Sequence, residues 1–326
     1  MSNNPLVSVI VPNYNYERFL DKRMQTILEQ TYRNIEVLLL DDASTDESVS
    51  VMRKWAGQDT RIVSVIVNSD NSGSPFKQWQ KGLERARGKY VWIAESDDYC
   101  ELSFLETLVS LLEQYPEATV CFSGSYLVNQ NDEMLEHDID NWTPKQRANP
   151  DGHKYFEGKI YAQRNLFWYN YVYNASGVVF RKATFDALTD REYFNMRYCG
   201  DWRFWFDMVL AGGVIEVYKK LNYFRRHSSC VTESAHLYAD RYLKAMDECL
   251  KYTVYAARCL NVSHLKLLLS GKVYYRLFKN SGYSKETIDK LNEMLQAVIP
   301  FSYLKYTICK PFIKMMGYGM GKERCE

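Results

Sequence analysis

The sequence predicts an α/β protein built on a mostly parallel sheet with helices on both faces, followed by a helical C-terminal extension. Three observations predict it. Over residues 1–100, short apolar runs of strand length alternate with segments whose apolar residues recur three and four positions apart. The runs are continuous rather than alternating, as strands covered on both faces are. From about Ala235 onward the runs give way to long stretches of helical spacing.

Each element has its own justification. Residues 6–11 are β-branched and stop at Pro12. Residues 19–30 place Phe19, Met24, Ile27 and Leu28 on one helical face. Residues 35–40 form a second strand ending at Asp41 and Asp42, and residues 47–56 a helix with Ser44, Thr45 and Asp46 as cap candidates. Residues 62–67 are a third strand. Residues 78–86 are a helix with Gly88 as its stop, and residues 90–94 a fourth strand. In sheets of this kind ligands bind beyond the carboxyl ends of the strands. Polar clusters lie there after every strand, at 12–15, 41–46, 68–74 and 95–98.

Composition narrows the classes. The chain has 326 residues, 46% apolar and 25% charged, with a net charge of +1, so nothing global points to nucleic acid. Its 26 tyrosines suit stacking on sugars or bases and suit half-buried packing equally. The 8 cysteines are scattered without zinc spacing. The apolar run at 7–11 is too short for a signal sequence, so the expectation is reduced thiols in a cytoplasmic protein. No run approaches the roughly 20 apolar residues of a membrane span. A dinucleotide or P-loop site is excluded by the lack of GxGxxG after the first strand and of GxxxxGK[ST] anywhere.

The most informative stretch closes the fourth strand with Glu95, Asp97 and Asp98. Crowded carboxylates raise one another's pKa unless a cation neutralises them. A hard divalent ion, Mg²⁺ or Mn²⁺, is the natural partner and brings substrate phosphates with it. The competing structural reading makes Asp98 the cap of a helix over residues 101–113.

Residues 7–15 (VSVIVPNYN), 34–46 (NIEVLLLDDASTD) and 95–98 (ESDD), in that order and spacing, resemble the nucleotide-binding half of glycosyltransferase family 2, inverting enzymes of the GT-A fold, over roughly residues 5–230. The resemblance implies that Pro12, Tyr14 and Asn15 line the nucleotide pocket, that Asp42 contacts the base or ribose, and that Asp41 and Ser44 support that loop. It implies Asp97 as the main metal ligand, with Glu95 and Ser96 beside it on the donor. Two departures stand out. Glu95 occupies a position where the family usually has Asp, and 76–79 (FKQW) replaces a Gly-rich loop with Ala-Arg-Asn. Lys77 is then either a diphosphate contact or a solvated lysine at a helix start.

Inverting transfer needs one base on the acceptor hydroxyl. By position that base is Asp201, ahead of an aromatic helix (Trp202, Trp205, Phe206, Leu210); the structural alternative makes Asp201 only the helix N-cap. Residues 223–229 (YFRRHSS) resemble the family's closing loop, which implies Arg226 near the diphosphate and His227 as a metal ligand. Asp207 reads as structural, and Trp202 as either an acceptor wall or helix packing. Residues 132–163, polar and carrying Pro144, Pro150 and Gly152, read as a long excursion over the acceptor. The aromatic stretch 166–174 reads as lining for the sugar, and 176–181 as the strand before the base.

Residues 238–259, 264–279 and 302–322 are expected as helices, the last with Lys305, Lys310 and Lys314 among apolar residues. Such a segment lies on an anionic membrane surface or docks on the protein. The expected domains are therefore a glycosyltransferase domain over 1–234, divided at residue 100 into nucleotide and acceptor halves, and an extension over 235–326. The expected partners are a nucleoside diphosphate sugar, UDP-sugar first, and a glycan or lipid-linked acceptor in cell-surface polysaccharide synthesis, with peripheral attachment at the inner face of the membrane. The second reading is a non-catalytic nucleotide-sugar-binding subunit. A nucleotidyltransferase would carry a Gly-rich basic loop after the first strand, and Pro12-Asn-Tyr-Asn is not one.

Overall fold

The computed structural model describes residues 4–140, 142–227, 238–299, 301 and 303–315. Its strands are β1 (Val7–Asn13), β2 (Ile35–Asp41), β3 (Ile62–Val67), β4 (Tyr90–Ile93), β5 (Tyr99–Cys100), β6 (Ala118–Val128), β7 (His153–Glu157), β8 (Val178–Arg181) and β9 (Gly213–Arg225). The helices are α1 (Glu17–Leu28), α2 (Ser48–Ala56), α3 (Pro75–Leu83), α4 (Phe104–Gln114), α5 (Pro144–Arg147), α6 (Gly158–Tyr161), α7 (Lys182–Ala187), α8 (Gly200–Leu210), α9 (Ala239–Cys259), α10 (His264–Lys279), α11 (Lys285–Val298) and α12 (Tyr303–Met315).

One sheet runs β3-β2-β1-β4-β8-β6-β9-β5, with β7 also on β9. Strands β3, β2, β1 and β4 pair in parallel, as expected for the first hundred residues. Beyond β4 the sheet turns mixed: β8 is antiparallel to both β4 and β6, while β6 and β9 are parallel. Every residue of β1, β2 and β4 is buried, which is why their sequences are continuous apolar runs. Strand β3 is an edge, so its pattern relaxes and Val63 and Val67 are exposed. The core beneath β1, β2 and β4 is filled by Leu20, Met24 and Ile27 of α1 and by Phe104, Leu108 and Leu112 of α4.

Several local expectations change. Helix α3 starts three residues early, because Pro75 is already at its first turn, and ends at Leu83. Gly88 is therefore not its stop; a Cβ there would lie 2.6 Å from the Ser8 nitrogen and 2.7 Å from the Leu6 oxygen, so close backbone approach to β1 demands glycine. Ser44 does not cap α2, which has Glu47 at its N-cap. Residues 132–163 are not one irregular excursion, since they include α5 and the strand β7 on β9. Leu166 and Phe167 are buried core residues, not an exposed sugar lining. Helix α11 was not expected, and residues 316–322 of the last predicted helix lie outside the described residues.

The chain separates into two compact units, one of 1–158 with 172–227, the other of 159–171 with 228–325. In the second, Tyr252 donates to the Leu166 carbonyl at 2.6 Å, Lys266 donates to that of Gln163 at 2.9 Å, and Leu250, Phe278, Leu291 and Leu295 are buried. Helix α12 leaves Tyr303, Leu304, Ile308 and Phe312 exposed. Among the described residues no helix is long and apolar enough to cross a membrane.

A buried carboxylate locks β1 to β2. Glu36 accepts from the Ser8 hydroxyl at 2.6 Å and from the Arg87 backbone N–H at 2.7 Å, and pairs with the Arg87 guanidinium. Burial pushes its pKa up, but these bonds outweigh that and hold it below its ordinary 4.5. The pair thus stabilises the fold above pH 4.5, and the contribution is lost as pH falls through the lowered value. Glu36→Gln is expected to lower the melting temperature at neutral pH, with the gap to the parent protein closing in acid. A gap that stays constant with pH would remove Glu36 from the account.

Candidate active site

The carboxyl ends of β1, β2 and β4 bring the polar clusters together by hydrogen bonds that cross between strands. Asn13, at the end of β1, donates to Asp41 Oδ1 at 3.0 Å and to Ser44 Oγ at 3.2 Å. Asp41, fully buried, also accepts from the Ser44 hydroxyl at 2.6 Å and its N–H at 2.8 Å. Asn15 joins the same loop, donating its N–H to Ser44 Oγ at 2.9 Å and accepting from the Thr45 N–H at 2.8 Å. Asn15 and Ala43 both have left-handed backbone, φ 57° and 61°. For Ala43 this is a disfavoured conformation, and the surrounding bonds hold it. Tyr14 projects from this edge, 45% exposed, while Pro12 accepts from the buried Ser96 hydroxyl at 2.7 Å and so fixes the end of β4 to the end of β1.

Asp42 is the focus of the next loop. Its Oδ1 accepts from Asn68 (2.6 Å), the Ser72 N–H (2.8 Å) and Gln78 (2.7 Å), and its Oδ2 from the Ser72 hydroxyl (2.8 Å). Lys77, exposed, donates to the Ser72 carbonyl at 3.2 Å. Two buried amide oxygens here, Asn13 Oδ1 and Gln78 Oε1, have no hydrogen-bond partner among the described residues. They are acceptors in want of a donor.

The acidic turn is tied from several sides. Asp98 is buried and accepts from the Arg225 N–H at 2.9 Å and from Asn174 at 2.9 Å. It caps nothing: α4 has Ser103 at its N-cap. Burial and the charge of Asp97 push Asp98 up to about 6 and Glu95 up to about 8. Asp97 Oδ2 lies 3.0 Å from His227 Nε2, and the His227 side chain is 1% exposed, wedged against Tyr16 and Phe19 at 5.3 and 5.5 Å. His227 Nδ1 has no hydrogen-bond partner among the described residues. Glu95 receives the Trp79 indole N–H on Oε1 at 2.8 Å, and its own N–H meets Ser176 Oγ at 3.1 Å.

Two arginines that the sequence did not single out surround this turn. Arg225 is 2% exposed; it donates to the Asp97 carbonyl at 2.6 Å and the Asn129 carbonyl at 2.8 Å, pairs with Asp132, and lies over Phe19. Arg226, the residue singled out, donates its N–H to Val128 and lies over Phe224 at 5.4 Å. Arg23 of α1 is fully buried over Trp92 at 4.7 Å, and none of its guanidinium nitrogens has a hydrogen-bond partner among the described residues. Burial lowers its pKa, while Cys100, Asp98, Asp97 and Glu95 favour its charge. In sequence each stands in a basic pair, Lys22-Arg23 and Arg225-Arg226, and nothing local marks it as buried.

Asp201 sits in the first turn of α8, one residue past Gly200, with Cys199 at the N-cap, so it is not the cap. Asp207 pairs with Arg203 at 3.0 Å, the structural part expected of it.

The side chains at this edge include donors of the kind a divalent cation takes. Among the described residues no cluster of three or more His, Cys, Asp or Glu is arranged to hold an ion alone. The convergent donor pair, Asp97 and His227, beside two carboxylates with raised pKa, matches ions that take one or two protein ligands and complete their shell with phosphate oxygens.

Comparison with known proteins agrees with this architecture. Staphylococcus aureus TarS in complex with UDP-GlcNAc superposes with a TM-score of 0.64 at 18% identity, covering 90% of this chain and 81% of that one. A mannosyltransferase from Pyrobaculum calidifontis in complex with GDP-Man and Mn²⁺ superposes at 0.56 and 14% identity, covering 98% and 82%. At these identities the likeness establishes the fold, which is that of GT-A glycosyltransferases. Residues 8–188 match the family model described as glycosyl transferase family 2, and the chain belongs to that family. Among curated relatives, the glycosyltransferase GlyG of Streptococcus pneumoniae is 34% identical over 39% of this chain and 41% of the relative. A putative teichuronic acid biosynthesis glycosyltransferase, TuaG of Bacillus subtilis, is 32% identical over 40% and 51%. The matches thus span about half or less of these relatives.

Arg225→Met is expected to lower stability by about 2–3 kcal/mol, since it strips donors from two buried carbonyls. Chemical denaturation measures this; a loss below about 0.5 kcal/mol would mean that the turn holds itself.

Proposed function

We propose that this protein is an inverting glycosyltransferase that moves a sugar from a nucleoside diphosphate sugar, a UDP-sugar first, to a glycan or lipid-linked acceptor in cell-surface polysaccharide synthesis. The observation that carries the reading is the acidic turn, with Asp97 3.0 Å from buried His227, on the same sheet edge as the Asp41–Asp42 loops. The transferase domain is taken as residues 1–234, with 235–326 as its extension.

The nucleotide lies along β1 and β2. Pro12, Tyr14 and Asn15 wall the pocket, Tyr14 offering a face for the base. Asp42 accepts from the base or ribose, and the unpartnered oxygens of Asn13 and Gln78 add acceptors for N–H and O–H groups. Asp41 and Ser44 hold that loop in shape. Lys77 and Arg226 supply positive charge to the diphosphate, and Glu95 and Ser96 flank the donor. Asp97 and His227 hold Mn²⁺ or Mg²⁺, which when bound supplies charge neutralisation to the departing diphosphate. Asp201 takes the proton of the acceptor hydroxyl as its oxygen bonds to the anomeric carbon on the face opposite the nucleotide. The sugar–phosphate bond breaks with its electron pair on the diphosphate.

Asp201→Asn is expected to leave UDP affinity within about twofold and to slow transfer by roughly a thousandfold. Asp97→Ala is expected to abolish the Mn²⁺-dependent part of UDP binding. Calorimetric titration and a transfer assay separate the two, with UDP-, GDP- and dTDP-sugars compared by thermal shift; undiminished transfer by Asp201→Asn would remove it as the base.

The same proposal places the enzyme peripherally at the inner face of the membrane. Its support is α12, whose exposed Tyr303, Leu304, Ile308 and Phe312 accompany Lys305 and Lys310 without an acidic residue. Flotation with anionic liposomes is expected to carry the full chain, and a double substitution Leu304→Ser with Ile308→Ser is expected to leave most of it behind. Equal flotation of the two proteins would exclude the helix as the anchor.

A further inference from the structure

Residues 76–79, at the start of α3, and Glu95, just past β4, meet in the fold. Trp79, 3% exposed on α3, donates its indole N–H to Glu95 Oε1 at 2.8 Å. Among the described residues no hydrogen bond is made by the other carboxylate oxygen. The indole cannot move freely. Its ring packs against Phe76 at 5.1 Å, Phe204 at 5.9 Å and Trp205 at 6.0 Å. Phe76 in turn lies against Gly200, where a Cβ would come within 2.5 Å of the ring, immediately before Asp201. Gln78, between the two aromatics, donates to Asp42 at 2.7 Å. Successive residues of one helix therefore touch the helix bearing the base candidate, the nucleotide loop and the acidic turn.

We propose that Trp79 is a positioning residue: its indole N–H holds the long Glu95 side chain in one conformation, so that a glutamate serves at a place a shorter, stiffer aspartate would otherwise fill. The physical reason is rotamer freedom. Glutamate has one more rotatable bond than aspartate, and ordering it during donor binding would weaken that binding. A buried, immobile donor orders it in advance. The inference rests on the proposal that the acidic turn binds a nucleoside diphosphate with a metal ion.

A double-mutant cycle tests it, with UDP and Mn²⁺ titrated calorimetrically into the full chain. Trp79→Phe keeps the ring packing and removes the donor; it is expected to weaken UDP binding in Mn²⁺ about tenfold while the melting temperature changes little. In the Glu95→Asp background the same substitution is expected to change the affinity by less than twofold, because the shorter side chain no longer reaches the indole. A merely structural Trp79 would weaken binding by the same factor in both backgrounds, or in neither, and either result overturns the proposal. Asp97→Ala separates the underlying reading: if it binds UDP with Mn²⁺ like the parent protein, the acidic turn is not the donor site and both proposals fall. If Trp79→Phe does not fold, the indole N–H resonances of the ¹⁵N-labelled parent and Glu95→Asp proteins carry the test. At least one must shift as it loses its carboxylate acceptor, and an unchanged set overturns the assignment.

Discussion

Like charges at the end of a buried strand repel, and the upper edge of this sheet is arranged around that constraint. Glu95, Asp97 and Asp98 fall within the four residues 95–98 just past the buried strand β4. Left alone they would protonate or unfold the turn. Instead Asp98 is held by the Arg225 N–H and Asn174, Asp97 faces His227, Glu95 takes the Trp79 indole, and the Arg23 guanidinium is buried behind them over Trp92. Burial first, and the charge of Asp97 second, still push the pKa of Glu95 and Asp98 up. A divalent ion shared with phosphate oxygens would offset this, so the strain of the turn and its proposed work have one origin.

The loops after β1 and β2 are organised on the opposite principle. Asp41 and Asp42 are also buried carboxylates at a strand end, but their oxygens are largely satisfied by Asn13, Ser44, Asn68, Ser72 and Gln78. The same loops tolerate left-handed backbone at Asn15 and Ala43 because these bonds fix it. What remains without a partner among the described residues are two buried amide oxygens, Asn13 Oδ1 and Gln78 Oε1. One edge of one sheet thus carries a carboxylate-rich turn beside a hydrogen-bonded loop network.

Helix α3 links them. In sequence, residues 78–86 read as a helix, and 76–79 only as a stretch standing where a Gly-rich loop was expected. In the fold Trp79 is both buried against Phe204 and Trp205 and bonded to Glu95. Conserving the packing while deleting one N–H is therefore the informative perturbation, because it leaves the hydrophobic term intact and removes only the polar one.

Local periodicity was enough to read β1, β2 and β4, because strands covered on both faces must be continuously apolar, and β3 by its run of β-branched residues. The same logic put Asp41, Asp42, Glu95, Asp97 and Asp98 on one edge, since parallel strands carry their carboxyl ends together. Residues that act over long sequence separations were not legible. Arg225 lies beside Asp97 only because β9 pairs antiparallel with β5, Arg23 faces the turn only because α1 packs beneath β4 and β5, and Trp79 reaches Glu95 across sixteen residues. Strand β7, hidden in a polar stretch, forms only because β9 offers it an edge. The sequence by itself determined the alternating elements and the chemistry at their ends, because these follow from residue type and short-range spacing. Only the tertiary structure decided which cations and donors meet that chemistry, because a buried charge takes its partner from whichever strand or helix the topology brings near.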